Sequence, residues 1–438
     1  MYTRTTNAEA YARLVAERTI TMLVHILEDA RRCLNCKVPM CQKGCPIHTP
    51  IPNVIQLMLS GQMDEAGRTL FENNPLSAIC SLVCSHELQC EGHCVLGHKG
   101  APVHFSSIEH YISSAYTGKM DAAPAQSNGI RAAVVGSGPA GLTIAVILAR
   151  KGYQVTIFES RDKIGGVLRY GIPDFRLPKS VLDDFEYHHL VLQNIRVRPN
   201  TTIGGAITVE NMLADGYKAI FLGTGVWQPN TLNIKGETLG NVHYGIDYLN
   251  NPDSYRLGDT INVIGAGNAA IDVCRTALRK GVREVNCFSL PRRIAAFRRE
   301  FDYAELEGVR FFYNKKPVEI VDEGVIFDDV AEYEDGTFEP IPGSRRLYAA
   351  DSSIISISQG PRSRLVNSTA GLKADRRGLL VTDEYGRTTR PGIFASGEVV
   401  AGARSVVEAV AHSKMVAEAM DAYMQGYDLE KKNRGFLK

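Results

Sequence analysis

The stretch AAVVGSGPAGLTIAVILAR (132–150) decides the fold. A short run of small and β-branched residues reads as a buried strand, a Gly-x-Gly-x-x-Gly turn follows, and an apolar helix starts at once. Gly136 makes the tight turn. Gly138 lets the backbone approach a diphosphate, which sits on the helix N-terminus, and Gly141 allows close helix–strand packing. Pro139 and Ala140 open the helix. The next strand, VTIFE (155–159), ends in Glu159, 23 residues after Gly136. A carboxylate there accepts hydrogen bonds from an adenosine ribose.

Outward from this loop the texture repeats. The runs AIFLG (219–223), INVIG (261–265), VNCFSL (285–290), IISIS (354–358) and GIFASG (392–397) alternate with helical patterns. Strands alternating with helices predict open parallel sheets. Two glycine-rich turns predict two such sheets. Several pieces favour a flavin at the first loop: Gly166 and Leu168 after the second strand, the Thr224-Gly225 turn, and Gly397-Glu398 before a helix starting near Val406. They predict bound FAD and a first sheet completed from the C-terminal end of the chain.

The second loop, Gly265-Ala266-Gly267-Asn268-Ala269-Ala270, opens a helix carrying Asp272. Its third glycine is alanine, which the dinucleotide fingerprint tolerates. The strand after it ends in Pro291-Arg292-Arg293 and not in an acid. Guanidinium groups pair with a 2′-phosphate, so Arg292 and Arg293 favour NADPH over NADH. Arg298 and Arg299 are weaker candidates, and a solvated arginine doublet is the plain alternative.

Upstream, cysteines dominate. Eight of the ten lie between Cys33 and Cys94, as Cys33-x2-Cys36-x4-Cys41-x3-Cys45-Pro46 and Cys80-x3-Cys84-x5-Cys90-x3-Cys94. Thiolates suit iron–sulfur clusters or zinc. A run ending in Cys-Pro is a ferredoxin pattern, in which the last cysteine serves the other cluster. Cys33, Cys36 and Cys41 would then hold one [4Fe-4S] cluster, and Cys45 would join Cys84, Cys90 and Cys94 on a second. The first needs a fourth ligand, either Cys80 or Glu109. Two structural zinc sites are the alternative. Helices are predicted at Ala8 to Arg32, Val54 to Leu59 and Ile108 to Tyr116, with no strand before residue 130. The stretch DAAPAQSNG (121–129) reads as a linker.

Composition excludes other classes. Lys+Arg is 49 against Asp+Glu 48, so there is no net field to collect nucleic acid or anionic lipid. No run reaches the ~18 apolar residues of a membrane span, and no basic stretch followed by an apolar one opens the chain. The expected compartment is a reducing cytoplasm, where disulfides are rare.

These residues resemble a family. CLNCKVPMCQKGCP (33–46), ENNPLSAICSLVC (72–84), the first glycine loop, GGVLRYGIPDFRLPK (165–179), VIGAGNAAIDVCRTAL (263–278) and GIFASGEVVAGARSVVEAV (392–410) look like the small (β) subunit of glutamate synthase. They are similar also to the electron-input part of dihydropyrimidine dehydrogenase and to the large subunit of NADH-dependent ferredoxin:NADP oxidoreductase. The resemblance implies FAD, NAD(P)H and two [4Fe-4S] clusters, with Glu109 as the non-cysteine ligand of the first. Glu398 stands where the family usually has Asp, and the family's Tyr-Arg-Arg strand end reads Pro291-Arg292-Arg293.

The expectation is an α/β protein. A helical iron–sulfur domain (1–125) precedes two Rossmann-like dinucleotide-binding domains, the first discontinuous. FAD would lie on 130–250 with 385–438, and NAD(P)H on 255–384. Hydride would pass from NADPH to FAD, and single electrons through the clusters to a catalytic or flavin-bearing partner subunit, or to ferredoxin. No residues remain for the acceptor's own chemistry. The rivals are a thioredoxin-reductase-like enzyme, which would need a redox pair from Cys274 and Cys287, and a zinc-bound nucleotide-binding scaffold. We expect those two cysteines to be structural.

Overall fold

The computed structural model describes residues 23–117 and 123–427, which divide into two compact units, Met1–Asp121 and Ala122–Lys438. Most of the expected leading helix lies outside the described residues; 23–31 are helical.

The first unit is helical, with no strand among its described residues. Helices span Met40–Gly44, Ile51–Leu59, Met63–Asn73, Ser77–Val83 and Phe105–Thr117. The second begins three residues before the expected Val54, because Pro50 and Pro52 fix its first turn. Its Ile51 and Ile55 share a face with one turn between them, as do Ile108 and Ile112 on the last helix. All four are buried in one apolar core. The last helix packs on both Met63–Asn73 and Ser77–Val83.

The second unit holds two five-stranded parallel sheets. In the first, the strands run in the order Ile393–Ala395, Tyr217–Leu222, Arg131–Val135, Gln154–Phe158, Arg196–Arg198. The strand near the C-terminus therefore closes a sheet begun at residue 131. Val135 is in register with Phe158 and with Leu222, and Leu222 with Ala395. Their C-terminal ends therefore align, and the loops that follow them share one edge of the sheet. Open parallel sheets bind ligands at that edge. Apolar side chains on these strands are almost wholly buried, because helices cover both faces. The long helix Val406–Gln425 packs on Pro139–Arg150. A reciprocal capping box of Ser405 and Glu408 starts it.

The second sheet runs Val242–Tyr244, Ser352–Ile355, Thr260–Ile264, Glu284–Phe288, Arg310–Phe312. An antiparallel sheet of Lys315–Val321, Gly324–Glu332, Phe338–Pro340 and Arg346–Ala349 was not anticipated. Its first strand mixes Lys315, Lys316 and Glu319 with apolar residues, so no continuous apolar run marks it.

Candidate functional site

The cysteines form two groups in the first unit. Cys33, Cys36, Cys41 and Cys94 line one cavity, which Cys90 also borders, walled by Ile51, Ile55, Val103 and Phe105. Burial pushes the Cys41 thiol up to about 11, with the neighbouring Cys94, Cys33 and Cys36 adding. Burial also raises Cys33, and Cys36 and Cys94 contribute. The second group is built on Cys84 and Cys90. Cys84 is raised by a hydrogen bond with Cys80, then by burial, then by Cys80, Glu109 and Cys90. Burial raises Cys90, with Glu109, Glu91 and Cys45 nearby. Cys45 Sγ also lies 3.3 Å from Thr49 Oγ1.

This grouping differs from the pairing expected from the sequence. Cys94 stands with Cys33, Cys36 and Cys41, and Glu109 stands with Cys84 and Cys90. The reason is tertiary. The second cysteine loop folds back on the first so closely that a Cβ on Gly44 would lie 2.5 Å from the His93 ring and 2.9 Å from the Gln89 carbonyl oxygen. That carries the neighbouring Cys94 across. Glu109 rides the helix packed on Ser77–Val83, beside the end that leads into Cys84. Among the described residues no three His, Cys, Asp or Glu side chains converge tightly enough for one metal ion. The first group of thiols instead rings a space with apolar walls, the donor arrangement that suits a thiolate-held cluster.

On the first parallel sheet, the predicted flavin residues come together at the aligned edge. Gly136 has φ +95°, and a Cβ there would lie 2.5 Å from the Gly223 carbonyl oxygen. A Cβ on Gly141 would meet the Gly136 oxygen at 2.0 Å. Only glycine fits at these two positions. Gly138 faces open space, so the backbone there is free to approach a ligand. Gly166 lies against the Gly138 Cα, and Gly397 against the Ala140 side chain. Gly225 approaches Glu398 Oε2, and Thr224 precedes it in the same turn. Leu168 is fully buried just beyond Gly166. Val406 begins the C-terminal helix.

Glu159 is engaged by its own loop. Its Oε2 accepts from the Ser137 backbone N–H at 2.9 Å and from Ser137 Oγ at 2.5 Å, and its Oε1 accepts from the Arg161 N–H at 2.8 Å. Oε1 also accepts from Ser160 Oγ at 3.1 Å, so each oxygen already takes two donors. Burial pushes Glu398 up to about 7.

The second loop repeats the first. Gly265 has φ +117°, and a Cβ there would meet the Ser356 carbonyl oxygen at 2.2 Å; Gly267 faces open space. Asn268 and Ala269 start the helix Asn268–Arg279. Asn268 Oδ1 accepts from the Phe297 N–H at 2.8 Å, which ties the arginine-bearing loop to the helix start. Arg292 and Arg293 are exposed, and neither guanidinium has an ion pair among the described residues. The Arg292 N–H donates to Glu332 Oε2 at 2.8 Å. Asp272 is buried and faces Arg176, from the GIPDFRLPK segment, at 2.7 Å. Cys274 and Cys287 are buried in the core of this half and share a hydrogen bond.

Sequence reading missed four residues at this edge. Ser137 joins the first loop to Glu159 and accepts from the Gly165 N–H. Arg161 stacks on Tyr170 and Trp227, each ring centroid 4.6 Å away. Lys179 donates to the Leu168 and Ile172 carbonyls and is held down to about 8 by burial. Arg176 is the fourth. The FRLPK stretch carried a signal, because two cations flanking the apolar Leu177 need partners if that residue is buried.

Two family models match the chain: dihydropyrimidine dehydrogenase domain II, 4Fe-4S cluster, over residues 13–120, and pyridine nucleotide-disulphide oxidoreductase over 130–413. The fold and the site thus define an NAD(P)H-dependent flavin oxidoreductase with an iron–sulfur domain. The glutamate synthase [NADPH] small chain of Halomonas elongata is 33% identical over 90% of this chain and 90% of its own length. That of Azospirillum brasilense is 32% identical over 95% and 91%. The chain belongs to this small-chain family of pyridine nucleotide-disulphide oxidoreductases. The structure of Mycobacterium tuberculosis FprA in complex with NADPH is similar with a TM-score of 0.56 at 19% identity, over 68% of this chain and 85% of that one. At that identity the likeness speaks for the fold. No helix among the described residues is long and apolar enough to cross a membrane.

Proposed function

We propose that this chain is the electron-input subunit of a larger enzyme, taking a hydride from NADPH and delivering single electrons to a partner. The observation that carries the reading is that one chain holds two groups of thiols in its first unit and two separate dinucleotide loops in its second. FAD supplies the conversion of a two-electron donor into single electrons, and [4Fe-4S] clusters supply one-electron storage.

Each group has residues to hold it. Gly136, Gly138 and the start of the helix Pro139–Arg150 receive the FAD diphosphate, and Glu159 the ribose. Gly225, Gly397 and Glu398 meet the middle of the molecule. Gly265, Gly267, Asn268 and Ala269 receive the nicotinamide dinucleotide, and Arg292 and Arg293 pair with its 2′-phosphate. Cys33, Cys36, Cys41 and Cys94 hold one cluster. Cys45, Cys84 and Cys90 hold the other, completed by Glu109. Cys80 stays a buried thiol hydrogen-bonded to Cys84. The hydride step needs no side-chain acid or base; the residues orient the groups and exclude water.

The relatives in Halomonas and Azospirillum are named as small chains and as NADPH enzymes. That supports both a larger partner subunit and NADPH here. The test is an anaerobic titration with NADPH and, separately, NADH, following flavin and cluster absorbance with iron and sulfide counted on the same sample. About eight irons, one FAD and rapid bleaching by NADPH are expected. Zinc in place of iron, or a flavin that neither nucleotide reduces, would sink the proposal.

A further inference from the structure

Segment 165–179 touches the first dinucleotide loop and the helix that the second loop opens. At its start, the Gly165 N–H donates to the Ser137 carbonyl oxygen and to Ser137 Oγ, each at 3.1 Å, inside the first loop. Toward its end, Arg176 Nη1 donates to both Asp272 oxygens, at 2.7 and 2.9 Å. Asp272 lies one turn into the helix that the second loop opens. Arg176 Nε lies 3.4 Å from Glu300, which also pairs with Arg275 of that same helix. Phe175 stacks under Arg275 at 4.8 Å and Arg279 at 4.0 Å. Lys179 closes the segment on itself through the Leu168 and Ile172 carbonyls.

The side chains of Arg176 and Asp272 are 10% and 5% exposed. A buried pair of this kind adds little stability over apolar residues of the same volume. Its best-attested use is to fix one arrangement of two elements against the alternatives. Here the two elements are the segment beside the flavin loop and the helix beneath the nucleotide loop. Asp272, expected at the cofactor, is satisfied by protein.

We propose that Arg176 and Asp272 form a positioning latch that sets the nucleotide-bearing helix against the flavin-side segment for hydride transfer. The proposal rests on the electron-input reading above. In that transfer a hydride, with both its electrons, leaves the reduced nicotinamide and reduces the flavin; the latch exchanges neither proton nor electron. Misplacement by a fraction of an ångström to an ångström slows such a step without abolishing binding.

The test uses the FAD- and cluster-loaded chain. Wild type, Asp272→Asn, Arg176→Gln and the double variant are mixed with NADPH without oxygen, and the limiting rate of flavin bleaching is read per bound FAD. Hydrogen exchange of 165–179 is measured on the same samples before NADPH is added. Each single variant is expected to lose about tenfold or more in limiting rate with half-saturating NADPH within about threefold, and the double is expected to be no slower than the worse single. Exchange in 165–179 speeds up in all three, and Arg176→Lys recovers part of the rate. Should the charged-to-neutral variants fail to fold, the apolar pair Arg176→Met with Asp272→Leu is expected to fold and bind FAD yet remain slow.

Limiting rates within about twofold of wild type, multiplicative losses in the double variant, or a change confined to half-saturation would each overturn the latch. If wild type itself is bleached by neither nucleotide, the electron-input reading fails. The exchange comparison still decides whether the pair orders the segment.

Discussion

The Ser77 hydroxyl donates a 2.7 Å hydrogen bond to Glu109 Oε1, and Ser113 Oγ lies 2.8 Å from the same hydroxyl. Two helices thus fix a buried carboxyl beside Cys84 and Cys90. Burial has raised its pKa to about 7. A carboxyl desolvated to that degree and held by serines is costly to keep for packing alone. The proposed role as a fourth cluster ligand would account for it.

The ligand grouping is open to a direct count. Cys33→Ala with Cys94→Ala removes two ligands of the same cluster, so about four irons should remain. Cys84→Ala with Cys94→Ala strikes both clusters, and little iron should remain. Glu109→Ala should pattern with Cys84→Ala, losing the same cluster signal in electron paramagnetic resonance while FAD stays bound. If Cys94→Ala and Cys84→Ala instead remove one and the same signal, the grouping is wrong and the simpler order along the chain is restored.

The first loop offers a contrast between two glycines. Gly136 has φ +95°, and its Cβ would sit 2.5 Å from the Gly223 oxygen. Gly136→Ala meets a backbone penalty of about 1–3 kcal/mol before the clash is counted. Its melting temperature should fall by several degrees and FAD should be lost during purification. Gly138 has φ −71°, and a Cβ there meets nothing within 4 Å. Gly138→Ala should melt within about a degree of the wild-type apoprotein, because neither strain nor overlap is introduced. It should still bind FAD more weakly, since the methyl group occupies the approach to the diphosphate. Flavin absorbance per chain and thermal melts separate the two. Equal behaviour of both variants would remove the distinction between turn glycine and approach glycine.

Much of this was legible because buried parallel strands are apolar throughout. AAVV, AIFL and INVI announce themselves, and the glycines after two of them mark the ligand edge. The antiparallel sheet of 315–349 was hidden, since its strands mix charged and apolar residues and read as surface. The cysteine runs point to thiolate-held clusters but not to which residue crosses. The rule that a run lends its last cysteine had been applied to Cys45 alone. The fold brings Cys94 beside Cys33, Cys36 and Cys41, through the close approach of His93 to Gly44. The Arg176–Asp272 pair spans 96 residues, and no local pattern links its members.

On the proposed reading, nucleotide choice rests with the arginine doublet. Arg292 and Arg293 are exposed after the strand Glu284–Phe288, where a 2′-phosphate is expected. Hydrogen bonds to a charged group contribute about 1.5–3 kcal/mol each. Arg292→Ala with Arg293→Ala should therefore raise half-saturating NADPH by roughly tenfold or more and leave NADH within about twofold. The NADPH effect should shrink as salt rises, because exposed charges are screened. A wild-type chain that uses NADH as well as NADPH, with a doublet variant unchanged toward both, would return these arginines to the solvent.

Acid sensitivity has a named source in the second unit. His189 is 3% exposed and lies 4.8 Å, ring to ring, from Phe185. Burial, with His188 and Arg150 nearby, pulls its pKa from 6.5 down to about 3. The unfolded chain therefore takes up a proton below about pH 6.5, while the folded chain stays neutral there. The unfolded state binds more protons, so stability falls as pH falls. The contribution is complete above pH 6.5 and is lost toward pH 3, at about 1.4 kcal/mol per pH unit. By pH 5 the loss reaches about 2 kcal/mol, before most carboxylates begin to titrate. His189→Leu removes the proton site, so its melting temperature should change less than that of wild type between pH 7 and pH 5. Equal slopes for the two proteins over that interval would show that His189 is protonated in the fold and that the acid sensitivity lies elsewhere.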